Sequence, residues 1–166
     1  MQFADLSTIA EIGATLAGFA TLAAAIRGTT YDADAIFDVV AHSLLALIFA
    51  LCASTFGSTE GMLRGLSALL AVSSSLLLAR DIRIILLVRE DKSADYDRTS
   101  IVVGWLYMLI IAVPPILATT VSINLYPSAA GLLYESALTA QIAASALMLL
   151  DVVRRHLAHR SDSPAV

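Results

Sequence analysis

Long stretches without charge constrain this chain more than any other feature of its sequence. No charged residue lies between Arg98 and Glu135, and between Asp38 and Glu60 the only titratable side chains are one histidine and one cysteine. Stretches of about 20 apolar residues match the hydrocarbon thickness of a bilayer. The chain of 166 residues is 58% hydrophobic and only 14% charged, whereas soluble domains are about one quarter charged. The sequence therefore predicts an integral membrane protein with several spans.

We predict an all-α bundle of five transmembrane helices. The stretches "TTYDAD", "GSTEG", "EDKSADYDRTS" and "NLYPSAAG" separate five apolar segments, and the third helix is expected to continue through "IRIILLVRE" at the membrane surface. A single transmembrane domain is expected over about residues 1–153, followed by a basic cytoplasmic tail at 154–166. The predicted helices cover about residues 6–26, 35–57, 62–81 with an extension to 90, 100–124 and 132–153.

The basic residues predict the orientation of the bundle. If the five helices alternate in direction, nine of the ten Lys and Arg residues lie on one side and only Arg64 lies on the other. Cytoplasmic loops carry such an excess, and aromatic residues mark the interfaces, as we expect for Trp105, Tyr31, Tyr126 and Tyr134. The opening "MQFADLST" lacks the basic start of a signal peptide, so the first helix is expected to be retained. We expect the N-terminus outside and the C-terminus in the cytoplasm, in a bacterial inner (plasma) membrane.

The first helix carries one carboxylate, Glu11, in an otherwise apolar stretch, about a turn and a half below the expected outer boundary. Glu11 shares a helix face with small and hydroxyl residues, including Thr15 and Gly18, whereas Ile12 and Phe19 lie on another face. Small residues let helices pack closely, so we expect the Glu11 face to be packed and the other to meet lipid. Two interpretations remain open: a glutamate near the headgroups, or a pathway lined by Glu11, Thr15 and Gly18.

The second and third helices have small-residue faces too, which indicate a tightly packed bundle. On the second helix this face comprises Ser43, Ala46, Ala50, Ala53 and Gly57, and on the third it comprises Gly61, Gly65, Ala68, Ser75 and Ala79.

A group of polar residues is expected at the inner ends of the second, third and fifth helices. Charges at this depth should pair with one another, which makes structural ion pairs one interpretation. The functional alternative is a proton or cation relay in which the histidine titrates near neutral pH. No spacing typical of a metal site is present. The members of this predicted inner polar cluster are Asp38, His42, Arg80, Asp81, Arg83 and Asp151.

The fourth helix contains two consecutive prolines, Pro114 and Pro115, near the middle of its apolar stretch. Each removes an amide donor and frees a carbonyl about one turn earlier, near residues 110–111. We expect a kink whose freed carbonyls bond to neighbouring helices or to the hydroxyls of Thr119 and Thr120. A hinge or a carbonyl-lined site is the functional alternative.

No catalytic motif is present, so we expect no enzyme: the sequence lacks H-E-x-x-H, G-x-S-x-G, a glycine-rich phosphate loop and Cys-x-x-Cys. We expect no cofactor, no metal and no nucleic-acid partner. Two classes remain. The favoured one is a small homo-oligomeric channel or transporter for cations, with its pathway at a symmetry axis. The alternative is an accessory or scaffold subunit that docks on another membrane protein through its small-residue faces.

Overall fold

The computed structural model describes residues 6–27, 33–56, 59–90 and 98–161, and within these ranges the chain is helical apart from short connections. A 3-10 turn at Pro127–Ala129 precedes the last helix. The five α-helices are α1 (Leu6–Arg27), α2 (Ala33–Phe56), α3 (Glu60–Glu90), α4 (Arg98–Ser122) and α5 (Ala130–Ser161).

The helices alternate in direction, as two apolar clusters show. One cluster joins the first turns of α1, α3 and α5 to the last turns of α2 and α4, and includes Ile9, Ala53, Leu63, Val121 and Tyr134. The other joins the later part of α1 and the first turns of α2 to the middle of α4 and of α5, and includes Ala20, Val39, Ile111 and Met148. The first end is the predicted outer end of the bundle and the second is the predicted inner end.

The fifth helix lies at the centre of the bundle, because α5 contacts all four other helices. The pairs α1–α2 and α3–α4 form two antiparallel hairpins, and α5 packs between α2 and α4. Any side chain that points from α2 toward α5 is therefore enclosed by the molecule.

Among the described residues, three helices are long and apolar enough to cross a membrane: their candidate spans are Ile36–Phe56, Glu60–Arg83 and Pro127–Leu150. The described apolar parts of α1 and α4, Leu6–Leu22 and Met108–Ser122, are shorter. Three candidate spans in an all-helical chain indicate a membrane protein.

The helix boundaries agree with the sequence-based prediction to within two residues except at the C-terminal end of α5. A 3-10 turn begins at Pro127 and α5 itself begins at Ala130, where the sequence predicted a start near residue 132. At its other end α5 continues to Ser161, so the predicted tail at 154–166 begins as helix. The stretch "RRHLAH" contains neither Gly nor Pro, and nothing in it interrupts the helix.

The turn between α4 and α5 is set by a residue in the left-handed region. Asn124 has a φ of 57°, a conformation that asparagine tolerates better than most residues. The Leu125 amide donates to the Thr120 carbonyl at 3.2 Å, and the Asn124 amide donates to the Val121 carbonyl at 3.0 Å. These two bonds form a Schellman motif, which ends α4 and turns the chain toward α5.

The predicted packing faces are confirmed on one helix and wrong on two. On α2, Ser43, Ala46, Ala50 and Ala53 are buried, while Gly57 lies outside the described residues. The face of Gly61, Gly65, Ala68, Ser75 and Ala79 on α3 is exposed, as is the face of Glu11, Ala14, Thr15, Gly18 and Thr21 on α1.

A different set of residues packs α1 against its neighbours. The buried side of α1 consists of Leu6, Ile9, Ala10, Gly13, Ala17 and Ala20. This side also contains small residues, and it adds two large apolar side chains that fill the outer cluster. Because α1 carries small residues on both sides, small size alone does not decide which side is buried.

Candidate functional site

Glu11, Thr15 and Gly18 form a polar strip on the outer surface of the bundle, which we call the α1 polar face. At 3.6 residues per turn the three lie within an arc of about 60°. All three are exposed, and the buried side of α1 points the opposite way. The structure thus brings the three predicted pathway residues together, but on the surface of one chain and not inside it.

The carboxylate of Glu11 lies deep along the bundle axis, deeper than the sequence suggested. Two residues further along α1, a Cβ at Gly13 would meet the Ser43 carbonyl at 3.0 Å and the Leu47 Cβ at 3.4 Å. Two residues of helix span about 3 Å. Glu11 therefore lies beside the middle of the 21-residue candidate span Ile36–Phe56.

Only some polar atoms of the α1 polar face have a hydrogen-bond partner within the described chain. The Thr15 hydroxyl donates to the Glu11 carbonyl at 2.8 Å. Within the described ranges, no hydrogen bond or ion pair involves the Glu11 carboxylate. No atom lies within 4 Å of a Cβ placed at Gly18. The face therefore offers an unpaired carboxylate beside open space.

Inside the bundle, His42, Asp81 and Gln141 form a second site, which we call the buried polar cluster. The amide nitrogen of Gln141 lies 2.6 Å from Nδ1 of His42. On the other side of the ring, Nε2 of His42 lies 3.7 Å from Oδ2 of Asp81. The exposed fractions are 1%, 5% and 0% for His42, Asp81 and Gln141, so α2, α3 and α5 exclude solvent from it.

The buried polar cluster holds several polar atoms without a hydrogen-bond partner. They include Nε2 of His42, both carboxylate oxygens of Asp81 and Oε1 of Gln141. The Ser74 hydroxyl on α3 is buried and unpartnered as well. Buried polar groups in native proteins nearly always find a partner, and exceptions call for an explanation such as a bound species or a chemical role.

Asp38 and Arg80 form an ion pair about one turn nearer the predicted inner end. The Arg80 guanidinium donates to the Asp38 carboxylate, and it also lies over the Phe37 ring, 4.5 Å from the centroid. The side chains of Arg80 and Asp38 are 30% and 13% exposed, which places this pair at the edge of the core. Ion pairing predicted for the inner cluster is thus present between these two residues.

The predicted inner cluster divides into parts with different surroundings. Asp38 and Arg80 pair with each other, while His42 and Asp81 face one another in the core. Arg83 is exposed. The side chain of Asp151 lies outside the described residues.

The fourth helix runs unbroken from Arg98 to Ser122 through Pro114 and Pro115, both of which are buried. The hydroxyls of Thr119 and Thr120 donate to the carbonyls of Pro115 and Ile116, at 2.7 and 2.8 Å. They bond one turn back along their own helix, so the prediction that they satisfy the carbonyls freed at residues 110–111 is wrong. The kink and the hinge remain predictions.

Sequence reasoning missed two polar side chains of the interior. Gln141 was not singled out, although it is the only amide side chain between residues 130 and 150. Tyr134 was expected at an interface, yet it is fully buried and its hydroxyl donates to the Phe49 carbonyl at 2.9 Å. An isolated amide in an apolar span is a signal for an interior polar contact, because it is costly against lipid.

The described residues contain no group of three or more His, Cys, Asp or Glu side chains arranged to hold a metal ion. The fold defines an all-helical bundle with three candidate membrane spans. No protein-family model, curated protein or solved structure matches this chain.

Proposed function

We propose that the protein is a small homo-oligomeric membrane channel or transporter for cations, whose pathway is lined by the α1 polar face. The observation that carries this proposal is the position of Glu11, an exposed carboxylate beside the middle of a candidate span. Such a group needs water or protein beside it, and the described part of one chain supplies no partner for the carboxylate.

The cost of leaving Glu11 against lipid supports an oligomer. A charged side chain at the centre of a membrane helix costs about 2.5–3.5 kcal/mol on insertion scales, and ionisable residues at this depth face a bundle interior or a water-filled cavity. Assembly of several copies around an axis would turn the α1 polar face of each copy toward the centre. The carboxylates would then form a ring in water, and acidic rings favour cations.

Small residues on two outer faces support contact between copies. The exposed face of α3 carries Gly61 and Gly65, and no atom lies within 4 Å of a Cβ placed at either. Gly18 on α1 is equally open. Small residues allow helix backbones to approach closely in membranes, where dispersion and interhelical hydrogen bonds drive association. Two different faces of one chain can form a head-to-tail interface, and copies joined in this way form a ring when the rotation between them closes.

The layout that we propose has five spans, with the N-terminus outside and the C-terminus in the cytoplasm of a bacterial inner membrane. It rests on the segregation of basic residues, of which only Arg64 falls on the predicted outer side. Reporter fusions at the two termini test it, because an odd number of spans puts the ends in different compartments. A reporter signal from the same compartment at both ends would contradict five spans.

A flux measurement in liposomes tests the proposed activity. Glu11→Gln keeps the shape of the side chain and removes its charge, so cation flux should fall about tenfold or more while assembly persists. Glu60→Gln is the matched control, because Glu60 is exposed at a helix start and paired with Arg64 at 2.6 Å. The control should keep its flux within about twofold. Absence of ion flux in wild-type protein under any potential or pH gradient would overturn the channel proposal.

The second candidate is a scaffold subunit with no transport activity of its own. It is favoured by the large apolar side chains in the interior of the single chain, where Tyr134, Leu70 and Leu138 are fully buried in the outer cluster. The open faces of α1 and α3 would then dock on another membrane protein. A uniform closed oligomer of purified protein supports the channel, whereas a monomer that requires a co-purifying partner supports the scaffold.

A further inference from the structure

We propose that His42 is a proton-binding site in the bundle interior, with Asp81 as its counter-ion and Gln141 as a partner that serves both charge states of the ring. The proposal goes beyond the channel function, because this site is separate from the α1 polar face. Proton binding at His42 does not depend on whether the α1 polar face lines a pathway. It rests on the geometry of three side chains that are each at least nine-tenths buried.

The hydrogen bond to Gln141 defines the neutral state of the ring. With the amide nitrogen 2.6 Å from Nδ1, the amide donates and Nδ1 accepts, so the single ring proton of neutral His42 is on Nε2. That proton points toward Oδ2 of Asp81, at a distance of 3.7 Å from Nε2 to Oδ2. The ring is thus held between a hydrogen-bond donor and a carboxylate.

A proton arriving from a hydronium ion on the aqueous side adds to the lone pair of Nδ1. A new N–H bond forms there, the hydronium ion becomes water, and no other bond breaks. The Gln141 side-chain amide then turns by half a rotation, and Oε1, which has no partner now, accepts the new N–H. Because an amide has both a donor and an acceptor, Gln141 can satisfy either state.

The carboxylate of Asp81 provides the counter-ion with which an imidazolium at His42 would pair. Both of its oxygens are buried without a hydrogen-bond partner, and an isolated buried carboxylate is strongly disfavoured. An imidazolium 3.7 Å away supplies the missing opposite charge in a medium of low dielectric constant, where such attraction is strong.

Other charged groups around the ring are either paired with each other or distant. From α2 and α3, Asp38 and Arg80 form their own ion pair about one turn away. From α1, the described side chains, residues 6–22, supply only the charged group of Glu11, which faces away from the bundle. The described side chains of α4, residues 108–122, include no titratable group, and α5 contributes Gln141 at this level. Asp81 is therefore the charge that responds to a proton on His42.

The test is a titration of ¹⁵N-histidine-labelled protein in lipid bilayers, followed by NMR. The chain has three histidines, so the His156→Gln, His159→Gln double variant leaves the signals of His42 alone. We expect the Nε2–H tautomer at high pH and an imidazolium at low pH, over a range of about pH 4.5 to 9.5. A ring that stays neutral throughout this range, or a neutral ring with its proton on Nδ1, would overturn the proposal.

Two variants assign the roles of the partners. Asp81→Asn removes the counter-ion and should reduce the imidazolium signal of His42 at low pH. Gln141→Met removes the donor with little change in volume, so the neutral ring should become a mixture of both tautomers, an effect that a purely structural role would not produce. Ser74→Ala, which removes a buried unpartnered hydroxyl from α3, is the matched control and should leave midpoint and tautomer unchanged.

The titration of the double variant keeps the proposal falsifiable even if a partner variant fails to fold, because the double variant leaves the buried polar cluster unchanged. A second measurement on the double variant tests whether the cluster binds sodium instead of a proton. At constant pH, addition of sodium chloride should not move the His42 signals. If the signals respond to sodium and not to pH, the cluster binds a metal cation and the proton proposal is wrong.

Discussion

Two polar regions of this bundle differ in exposure: one is buried between helices and the other lies on the surface. The buried polar cluster of His42, Asp81 and Gln141 is enclosed by three helices and is at most 5% exposed at each residue. The α1 polar face, with Glu11 at its centre, lies at a comparable depth along α2 and is open. One polar region is enclosed within a single chain, whereas the other lies on the surface of the described bundle.

The difference separates contacts made within one chain from a surface that the proposed assembly would cover. Partners for His42 come from helices far apart in sequence, because α5 lies between α2 and α4 and brings Gln141 to the ring. No helix of the same chain covers Glu11, because Gly13 and Ala17 hold the opposite side of α1 against the bundle. Mutations in the first region should change the stability of the fold, and those in the second should change assembly and flux.

Removal of Arg80 should have the largest effect on stability. Arg80→Ala leaves the Asp38 carboxylate, which is 13% exposed, without its partner. Breaking a buried ion pair costs about 3–5 kcal/mol, and partial exposure of the Arg80 side chain should reduce this to about 3 kcal/mol. Arg64→Ala, which breaks the exposed pair with Glu60, should cost at most about 1 kcal/mol. Equal melting temperatures of the two variants in detergent would show that both pairs are solvated.

The second largest effect on stability is expected at Gly13, and Gly18 on the same helix is its matched control. Gly13→Ala puts a Cβ at 3.0 Å from the Ser43 carbonyl, a backbone atom that cannot move alone, so α1 and α2 should separate at a cost of about 1–3 kcal/mol. Gly18→Ala meets nothing within 4 Å and should leave the monomer as stable or about 1 kcal/mol more stable. Denaturation in detergent measures both. A greater loss at Gly18 would mean that the exposed side of α1 is packed within the chain.

A smaller effect is expected from the buried hydroxyl of Tyr134. Tyr134→Phe removes the hydrogen bond to the Phe49 carbonyl and should cost about 1 kcal/mol. The carbonyl remains bonded within its own helix, which limits the loss. Tyr126 is 57% exposed, so Tyr126→Phe is the control and should not change the unfolding midpoint. A loss of stability only in the control would contradict the assignment of Tyr134 to the core.

The sequence predicted the helices well, because uncharged stretches and polar breaks mark them directly. It predicted the buried face of α2 for a related reason: the small residues Ser43, Ala46 and Ala50 all fall on one side. It failed on α1 and α3, where small residues occur on more than one side. Only the positions of neighbouring helices decide which of these sides is covered.

The candidate sites were predicted in composition but not in arrangement. The positions of Asp38, His42 and Asp81 at helix ends were sufficient to suggest a polar cluster. The pairing within it depends on how the helices meet, and Gln141 enters only because α5 occupies the centre of the bundle. The depth of Glu11 depends on the offset between α1 and α2, which the contact of Gly13 with Ser43 and Leu47 sets and no local pattern encodes.

The accessibility of position 11 tests the central claim most directly, namely that Glu11 is open in one chain and faces water in the assembly. The native thiol is first removed by Cys52→Ser, and Glu11→Cys is then compared with Phe19→Cys, because Phe19 is 58% exposed on another side of α1. Proteoliposomes are treated with a membrane-impermeant thiol reagent and, separately, with a lipid-soluble one. The Glu11→Cys variant should react with the impermeant reagent, and the Phe19→Cys variant only with the lipid-soluble one. If both variants react only with the lipid-soluble reagent, Glu11 faces lipid and the account is contradicted.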